Sequence, residues 1–173
     1  MNLTQGLVTL RPWAESDLQA LLRHADNFNI WINLRDAFPH PYTREAGSGW
    51  LTMALAEKKN LLLAIVVDGE AVGGIGATFH EDVYRINAEI GYWLSEDYWH
   101  RGIMTLAVSL LVDHIFTHYP DINRVYADLF ASNQGSARVL EKCGFHRESV
   151  HHSAVIKNGV IQDEHRWVRF RQG

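Results

Sequence analysis

The sequence predicts an α/β (α+β) fold, a mixed and mostly antiparallel sheet of about seven strands flanked by about four helices. Three observations carry this expectation. Apolar runs of strand length alternate with helical apolar stripes in the order β-α-α-β-β-β-α-β-α-β-β. Two junctions between runs, Asp68-Gly69 and Asn158-Gly159, are favoured two-residue hairpin turns. No repeat, low-complexity tract or Pro/Gly/Ser-rich linker interrupts the 173 residues, so the whole chain is expected to share one core as a single domain.

Taken in order, Leu7–Arg11 should form a first strand that ends at Pro12. Ser16 or Asp17 then caps a helix carrying Leu18, Leu21 and Leu22 at helical spacing. From Asn27 to Pro41 the chain is irregular and aromatic-rich, with two prolines. Thr43 opens a second helix, running to about Lys59, that Gly47 and Gly49 weaken. The apolar runs Leu61–Val67 and Ala71–Phe79 flank Asp68-Gly69 and should pair antiparallel. A strand Ala88–Leu94 sets Ala88, Ile90, Tyr92 and Leu94 on one face and Glu89, Gly91 and Trp93 on the other. Gly102–His118 reads as a helix with Leu106, Ala107, Leu110, Leu111 and Ile115 in one stripe. A strand Arg124–Phe130 follows, then a helix from about Gln134 to Cys143 with Gly144 as its C-terminal cap. Val150–Ile156 and Val160–Phe170 close the chain as a hairpin around Asn158-Gly159.

Composition narrows the function classes. With 16 Lys and Arg against 20 Asp and Glu the net charge is −4, and the basic residues are scattered, so no long basic face for nucleic acid is expected. Cys143 is the only cysteine, which excludes an intrachain disulfide framework and any CxxC metal or redox motif, and fits a reducing compartment. The first residues, MNLTQGLVTLRPW, lack a basic segment followed by an apolar run, and no stretch nears the roughly 18 apolar residues of a membrane helix. A soluble cytoplasmic protein without membrane partners is the expectation.

Two strand-to-helix junctions carry the chemistry. At Trp99-His100-Arg101-Gly102-Ile103-Met104-Thr105 an apolar strand stops and a helix begins around a glycine. Free backbone N–H groups and the positive helix end converge there, which suits a phosphate or pyrophosphate, and Gly102 permits close approach. An ordinary strand-to-helix turn accounts for this segment alone equally well. It is not a nucleoside-triphosphate loop, because the Gly-Lys-Ser/Thr signature is absent. Gly73-Gly74-Ile75-Gly76 lacks the third glycine of a dinucleotide loop and continues into Thr78-Phe79, so it reads as a glycine-rich strand. At the second junction, Asn133-Gln134-Gly135-Ser136, the polar Asn133 and Ser136 stand at the helix start, where Asn133 can serve simply as an N-cap. The two junctions lie at the same end of neighbouring strands, where open α/β sheets bind ligands.

The sequence resembles the GCN5-related N-acetyltransferase (GNAT) superfamily, and within it the branch of ribosomal-protein N-terminal acetyltransferases acting on Ser or Ala N-termini. The resemblance runs from Leu10-Arg11-Pro12 through Phe38-Pro39-His40-Pro41-Tyr42-Thr43 and Glu89-Ile90-Gly91-Tyr92-Trp93-Leu94 to Lys142-Cys143-Gly144-Phe145. It implies acetyl-CoA as acyl donor and a GNAT-like sheet. The superfamily's pyrophosphate loop reads Gln/Arg-x-x-Gly-x-Gly/Ala. Gly102 fills its first glycine position, while Trp99 and Met104 depart from it. The contacts there are mostly main-chain, so Arg101, Gly102, Ile103, Met104 and Thr105 are expected to bind cofactor. The resemblance further implies that the strand around Tyr92, Trp93 and Leu94 splays from its neighbour to hold the pantetheine arm, with Asn133 bonding that arm. Arg138 and Lys142, one helical turn apart, are unspecific partners for coenzyme A phosphates.

Direct attack on the thioester requires a neutral amine. A peptide α-amine, with pKa about 8, is roughly 10% neutral at pH 7, against well under 0.1% for lysine, so a modest base suffices for an N-terminus. Glu89, a carboxylate in an otherwise apolar strand, is the expected base, directly or through water; an ion pair with Arg85 or a helix end is the competing account. The superfamily's thiolate-protonating tyrosine, five residues before the Gly-Phe phenylalanine, is Leu140 here, which leaves Ser136 or water for that task. Phe28, Trp31 and Phe38 are expected in the acceptor wall or in the core. His114 and His118 have zinc-compatible spacing but no third ligand, so no metal is expected, and Cys143 reads as core. The acceptor is expected to be a peptide N-terminus, with a polyamine, amino sugar or amino-acid derivative as rival. A non-catalytic coenzyme A-binding regulator and a structural module are the readings from other classes. Dimerisation is common in the family, although no segment of the sequence marks an interface.

Overall fold

The computed structural model describes residues 1–172. In chain order the elements are β1 (Leu3–Gln5), β2 (Val8–Pro12), α1 (Leu18–Ala25), α2 (Phe28–Trp31), α3 (Arg44–Ala56), β3 (Leu61–Val67), β4 (Glu70–Phe79), β5 (Asn87–Leu94), α4 (Ile103–His118), β6 (Arg124–Phe130), α5 (Gln134–Lys142), β7 (His146–Lys157) and β8 (Val160–Phe170). The strands form one sheet in the order β1-β2-β3-β4-β5-β6-β8-β7. Every neighbouring pair is antiparallel except β5 with β6.

The mixed, mostly antiparallel sheet matches the expectation, but the described residues form eight strands and five α-helices rather than about seven and four. The extra strand, β1, is only Leu-Thr-Gln and pairs with β2 across a turn at Gly6 and Leu7; three residues are too few to show an alternation. Leu7 therefore belongs to the turn, and its side chain is exposed. The extra helix, α2, is a single turn capped by the Asn27 side chain inside the aromatic-rich segment. β7 begins four residues earlier than its apolar pattern, because His146-Arg147-Glu148-Ser149 pairs with β8 through main chain without burying a face.

Helices cover both faces. On one face α4 buries Ile103, Met104, Ala107, Val108, Leu111, Val112 and Ile115 against Val8, Leu10, Ile65 and Val72 of the sheet. Each of these side chains larger than alanine contributes roughly 1.5–3 kcal/mol by leaving water, so this layer dominates stability. On the other face α1 and α3 enclose a smaller core of Trp13, Leu21, Tyr42, Leu51, Ala64 and Val66. An ion pair fixes the passage from β2 into α1: both Arg11 nitrogens bond Asp17 at 2.7 Å, and the Ala14 N–H donates to the same carboxylate at 2.9 Å. Burial works to raise the Asp17 carboxyl, but these hydrogen bonds outweigh it and hold it below the ordinary carboxylate range.

The glycine run of β4 is explained by close packing. A Cβ on Gly73 would lie 2.5 Å from the Trp93 carbonyl oxygen, and one on Gly74 would lie 2.7 Å from the Trp93 indole nitrogen. The glycines let β5 and Trp93 lie directly against β4, so no phosphate loop is formed there.

Candidate active site

The only parallel pair of the sheet positions the site. β5 and β6 are hydrogen-bonded over just three positions, Asn87↔Arg124, Ala88↔Val125 and Glu89↔Tyr126. Beyond Glu89 the strands part, and the main chain of Ile90–Leu94 loses its ladder on that edge while staying paired with β4 on the other. A cavity of about 1080 Å³ passes through this gap. It carries Tyr92, Asn133 and Ser136 on the α4/α5 face of the sheet. On the opposite face it is walled by Glu89, Phe38, Tyr42 and Trp50.

Each strand at the gap runs into a helix at the same end. Gly102 sits at φ 75° directly before α4, and no side chain caps that helix. The first main-chain bond into α4 comes from the Leu106 N–H to the Gly102 carbonyl at 3.1 Å, which leaves the N–H groups of Ile103, Met104 and Thr105 unspent. The side chains of Ile103 and Met104 are buried in the core, so only their main chain faces outward. Trp99, the departure from the superfamily loop, donates its indole N–H to the Leu94 carbonyl at 2.9 Å and ties the loop to the end of β5. Arg101 is exposed and stacks on Tyr98 at 5.2 Å.

At the start of α5, the Asn133 Oδ1 accepts the Ser136 N–H at 3.1 Å. The N-cap role is thus realised, and the Nδ2 of the same amide bonds no described residue and remains available at the cavity. Arg138 and Lys142 are exposed on the outer surface of α5, without acidic partners among the described residues. Tyr92 reaches across from β5, and its hydroxyl donates weakly to the Ser136 carbonyl at 3.5 Å. Burial raises this phenol far above its usual range, so it keeps its proton. Leu140, at the superfamily's tyrosine position, is fully buried.

Glu89 lies at the last hydrogen-bonded position before the strands part. Its partner is Arg35, at 2.7 Å, rather than Arg85, which bonds the Asp82 carbonyl. Arg35 comes from the irregular segment after α2, so no local pattern could have pointed to it. The Tyr126 hydroxyl donates to the other Glu89 oxygen at 3.4 Å. Also at the cavity, Asp128 is held by a two-pronged bond from Arg166 at 2.8 and 2.7 Å. Of the three expected wall aromatics only Phe38 lines the cavity, packed on Tyr42 and Trp93. Phe28 and Trp31 instead cluster with His40 outside it, and the buried Lys157 ammonium sits 3.9 Å above the Trp31 ring.

The remaining candidates lie outside the cavity. His114 and His118 stack at 4.2 Å, and no group of three metal-ligating side chains occurs among the described residues. Cys143 is buried, with its thiol 3.4 Å from the Thr105 carbonyl; burial raises its pKa, as expected for a core thiol. No described helix is long and apolar enough to cross a membrane.

Comparison with known proteins agrees with this architecture. The family model described as an acetyltransferase (GNAT) domain matches residues 8–146. The probable N-acetyltransferase YjcK of Bacillus subtilis is 46% identical over 76 residues, covering 44% of this chain and 41% of that protein. The putative ribosomal N-acetyltransferase YdaF of the same organism is 30% identical over 108 residues, covering 62% and 58%. The aligned segments thus span about half the length of these curated relatives. Among solved structures, RimL, described as a ribosomal L7/L12 alpha-N-protein acetyltransferase in complex with coenzyme A, superposes with a TM-score of 0.86 at 23% identity over 98% of both chains. A cavity opened by parting strands, with the start of α5 on its wall, and a family model spanning most of the sequence lead to one assignment: the chain belongs to the GNAT acetyltransferase family.

Proposed function

We propose that the protein transfers an acetyl group from acetyl-CoA to a primary amine, in the first place the α-amine of a protein or peptide N-terminus. The observation that carries this reading is the cavity that crosses the sheet where β5 and β6 part. It offers a donor side with Asn133, Ser136 and Tyr92 and an acceptor side with Glu89, Arg35 and Phe38. The residues on the donor side fit coenzyme A. The unspent N–H groups of Ile103, Met104 and Thr105, with open space beside Gly102, suit a pyrophosphate. Asn133 Nδ2 and the unpaired edge of Tyr92, Trp93 and Leu94 suit the amides of a pantetheine arm, and Arg101, Arg138 and Lys142 supply cations near the phosphates.

Bound acetyl-CoA supplies a thioester carbonyl open to direct attack. Glu89 takes a proton from the incoming ammonium, directly or through water, so that the lone pair is free. Arg35 holds the carboxylate in place, and Ser136 passes its hydroxyl proton to the departing thiolate while taking one from the nitrogen that has attacked, so that the hydroxyl is restored. Similarity to YdaF, a putative ribosomal N-acetyltransferase, and to RimL, a ribosomal L7/L12 alpha-N-protein acetyltransferase, favours a ribosomal-protein N-terminus as acceptor. A polyamine or amino sugar is the rival acceptor.

Calorimetric titration with acetyl-CoA, followed by mass spectrometry of a panel of peptides and small amines, tests the reading. One-site binding is expected, with a melting temperature raised by roughly 5 to 10 °C at a hundredfold excess over Kd. Absence of binding at millimolar acetyl-CoA would leave a structural module. Binding without turnover on any amine would leave a coenzyme A-binding regulator.

A further inference from the structure

We infer that Tyr126 and His80 form a proton exit that carries the acceptor's proton from Glu89 to solvent without crossing the acceptor cavity. The inference rests on the reading of Glu89 as base and extends it to two residues with no assigned role. The parallel register places Tyr126 directly beside Glu89, and its hydroxyl lies 3.4 Å from Glu89 Oε2. The same hydroxyl is 2.9 Å from His80 Nε2, and the two rings stack at 5.7 Å. His80 follows β4 and is half-buried, and its Nδ1 bonds no described residue. Glu89 lines the cavity, whereas Tyr126 and His80 do not, so the three groups lead from the cavity outward.

The step balances as a proton hop. The acceptor ammonium loses a proton to the Glu89 carboxylate. Once Glu89 is protonated the Tyr126 hydroxyl turns from it to His80, whose Nδ1–H tautomer leaves Nε2 free to accept; the Glu89 O–H then passes a proton to the Tyr126 oxygen while the Tyr126 O–H passes its own to His80 Nε2. The imidazolium then releases the Nδ1 proton to water, and the ring regains its starting tautomer by exchange with water. A phenol must remain protonated to work this way. Burial, reinforced by the neighbouring Glu89 charge, raises the Tyr126 pKa and keeps it so. The charged groups facing the relay are Arg35 on Glu89, Arg124 and Arg166 stacked on the Tyr126 ring, and Asp128 and Glu148, which pair with those two arginines.

The test uses whichever of a Ser-initiated peptide, an Ala-initiated peptide, spermidine or glucosamine the wild-type protein acetylates fastest. Tyr126→Phe and His80→Ala are each expected to lower kcat about tenfold, because water substitutes in part, with the KM for acetyl-CoA unchanged. Added imidazole should restore His80→Ala but not Tyr126→Phe, and His80→Gln, which keeps a hydrogen bond but not a proton acceptor, should stay slow. A fully active His80→Gln, or a slow His80→Ala that imidazole leaves slow, would overturn the relay in favour of a packing role. Wild-type rates in Tyr126→Phe and His80→Ala beside a slow Glu89→Gln would remove the relay and leave Glu89 as base. A fully active Glu89→Gln, or no turnover on any acceptor, would remove both. If Tyr126→Phe melts early, the His80 variants decide alone.

Discussion

Asn133 is the residue at which fold and function can be separated most cleanly. Its Oδ1 caps α5 through the Ser136 N–H at 3.1 Å, while its Nδ2 has no partner among the described residues and faces the cavity. Loss of an N-cap costs about 1 kcal/mol, or roughly 2 to 4 °C in melting temperature for a chain of this size. Loss of one hydrogen bond to an uncharged amide also costs about 1 kcal/mol, which is about fivefold in Kd. Serine caps nearly as well as asparagine but has no amide group. Asn133→Ser should therefore melt like the wild type and bind acetyl-CoA about fivefold more weakly, whereas Asn133→Ala should lose both affinity and stability. Scanning calorimetry with titration of acetyl-CoA gives both numbers on the same samples. Unchanged affinity in Asn133→Ser would refute the pantetheine contact, and an unchanged melting temperature in Asn133→Ala would refute the cap.

Glu89→Gln is expected to lower kcat by about a hundredfold or more while the Kd for acetyl-CoA changes little; equal losses in both would sink the base assignment. Ser136→Ala should slow turnover more than Tyr92→Phe in parallel kinetics, and the reverse order would move the proton-donating role to the Tyr92 phenol. Gly73→Ala should cost about 3 kcal/mol, or roughly 6 to 12 °C, since the new methyl meets the Trp93 carbonyl, which is backbone and cannot turn away; a melt within about 2 °C of wild type would contradict the packing. Asp17→Asn should destabilise at neutral pH by roughly 3 kcal/mol, at the lower end for a broken buried pair because Arg11 keeps 26% of its side chain exposed. Since the Asp17 pKa is lowered on folding, its stabilisation is present above the unfolded-state value near 4 and is lost as pH falls through the folded one. The gap between the two proteins in denaturant melts should accordingly close in acid and persist at pH 7.

Local patterns carried most of the fold. The two Asx-Gly turns located their hairpins, and the faces of β5 were legible because Ala88, Ile90 and Leu94 alternate with Glu89, Gly91 and Trp93. Both strand-to-helix junctions of the proposed donor side were legible for the same reason, since a helix start is a local event. On the proposed acceptor side Glu89 and Phe38 were legible, but the partners of Glu89 were not. Arg35 and Glu89 are separated by 54 positions in sequence, and His80 and Tyr126 by 46. Their meeting depends on strand order and register, which the residues around each position do not encode. The aromatic segment misled for a related reason: Phe28, Trp31 and Phe38 look alike in sequence, and only the path of the chain after α2 sends Phe38 inward and the other two onto His40 and Lys157.

The arrangement of β5 and β6 also bears on whether this is a binding site or only a fold. A parallel pair must be joined by a crossover, which is why β5 runs into α4 before the chain returns as β6. A structural module would gain by extending the β5–β6 ladder to the end of both strands, since every further pair satisfies main-chain groups that otherwise need another partner. The ladder instead stops after three positions. β4 keeps β5 rigid on its other edge, through glycines that allow Trp93 to press against it. A fixed, half-unpaired strand edge beside an amide with a free Nδ2 suits a partner that carries its own amides, as the proposed function requires. Filling that edge by a substitution that brings bulk into the gap, such as Ala127→Leu on β6, should abolish acetyl-CoA binding while the fold persists in circular dichroism. Retained binding in that variant would mean that the gap is a packing fault and that the cofactor, if any, lies elsewhere.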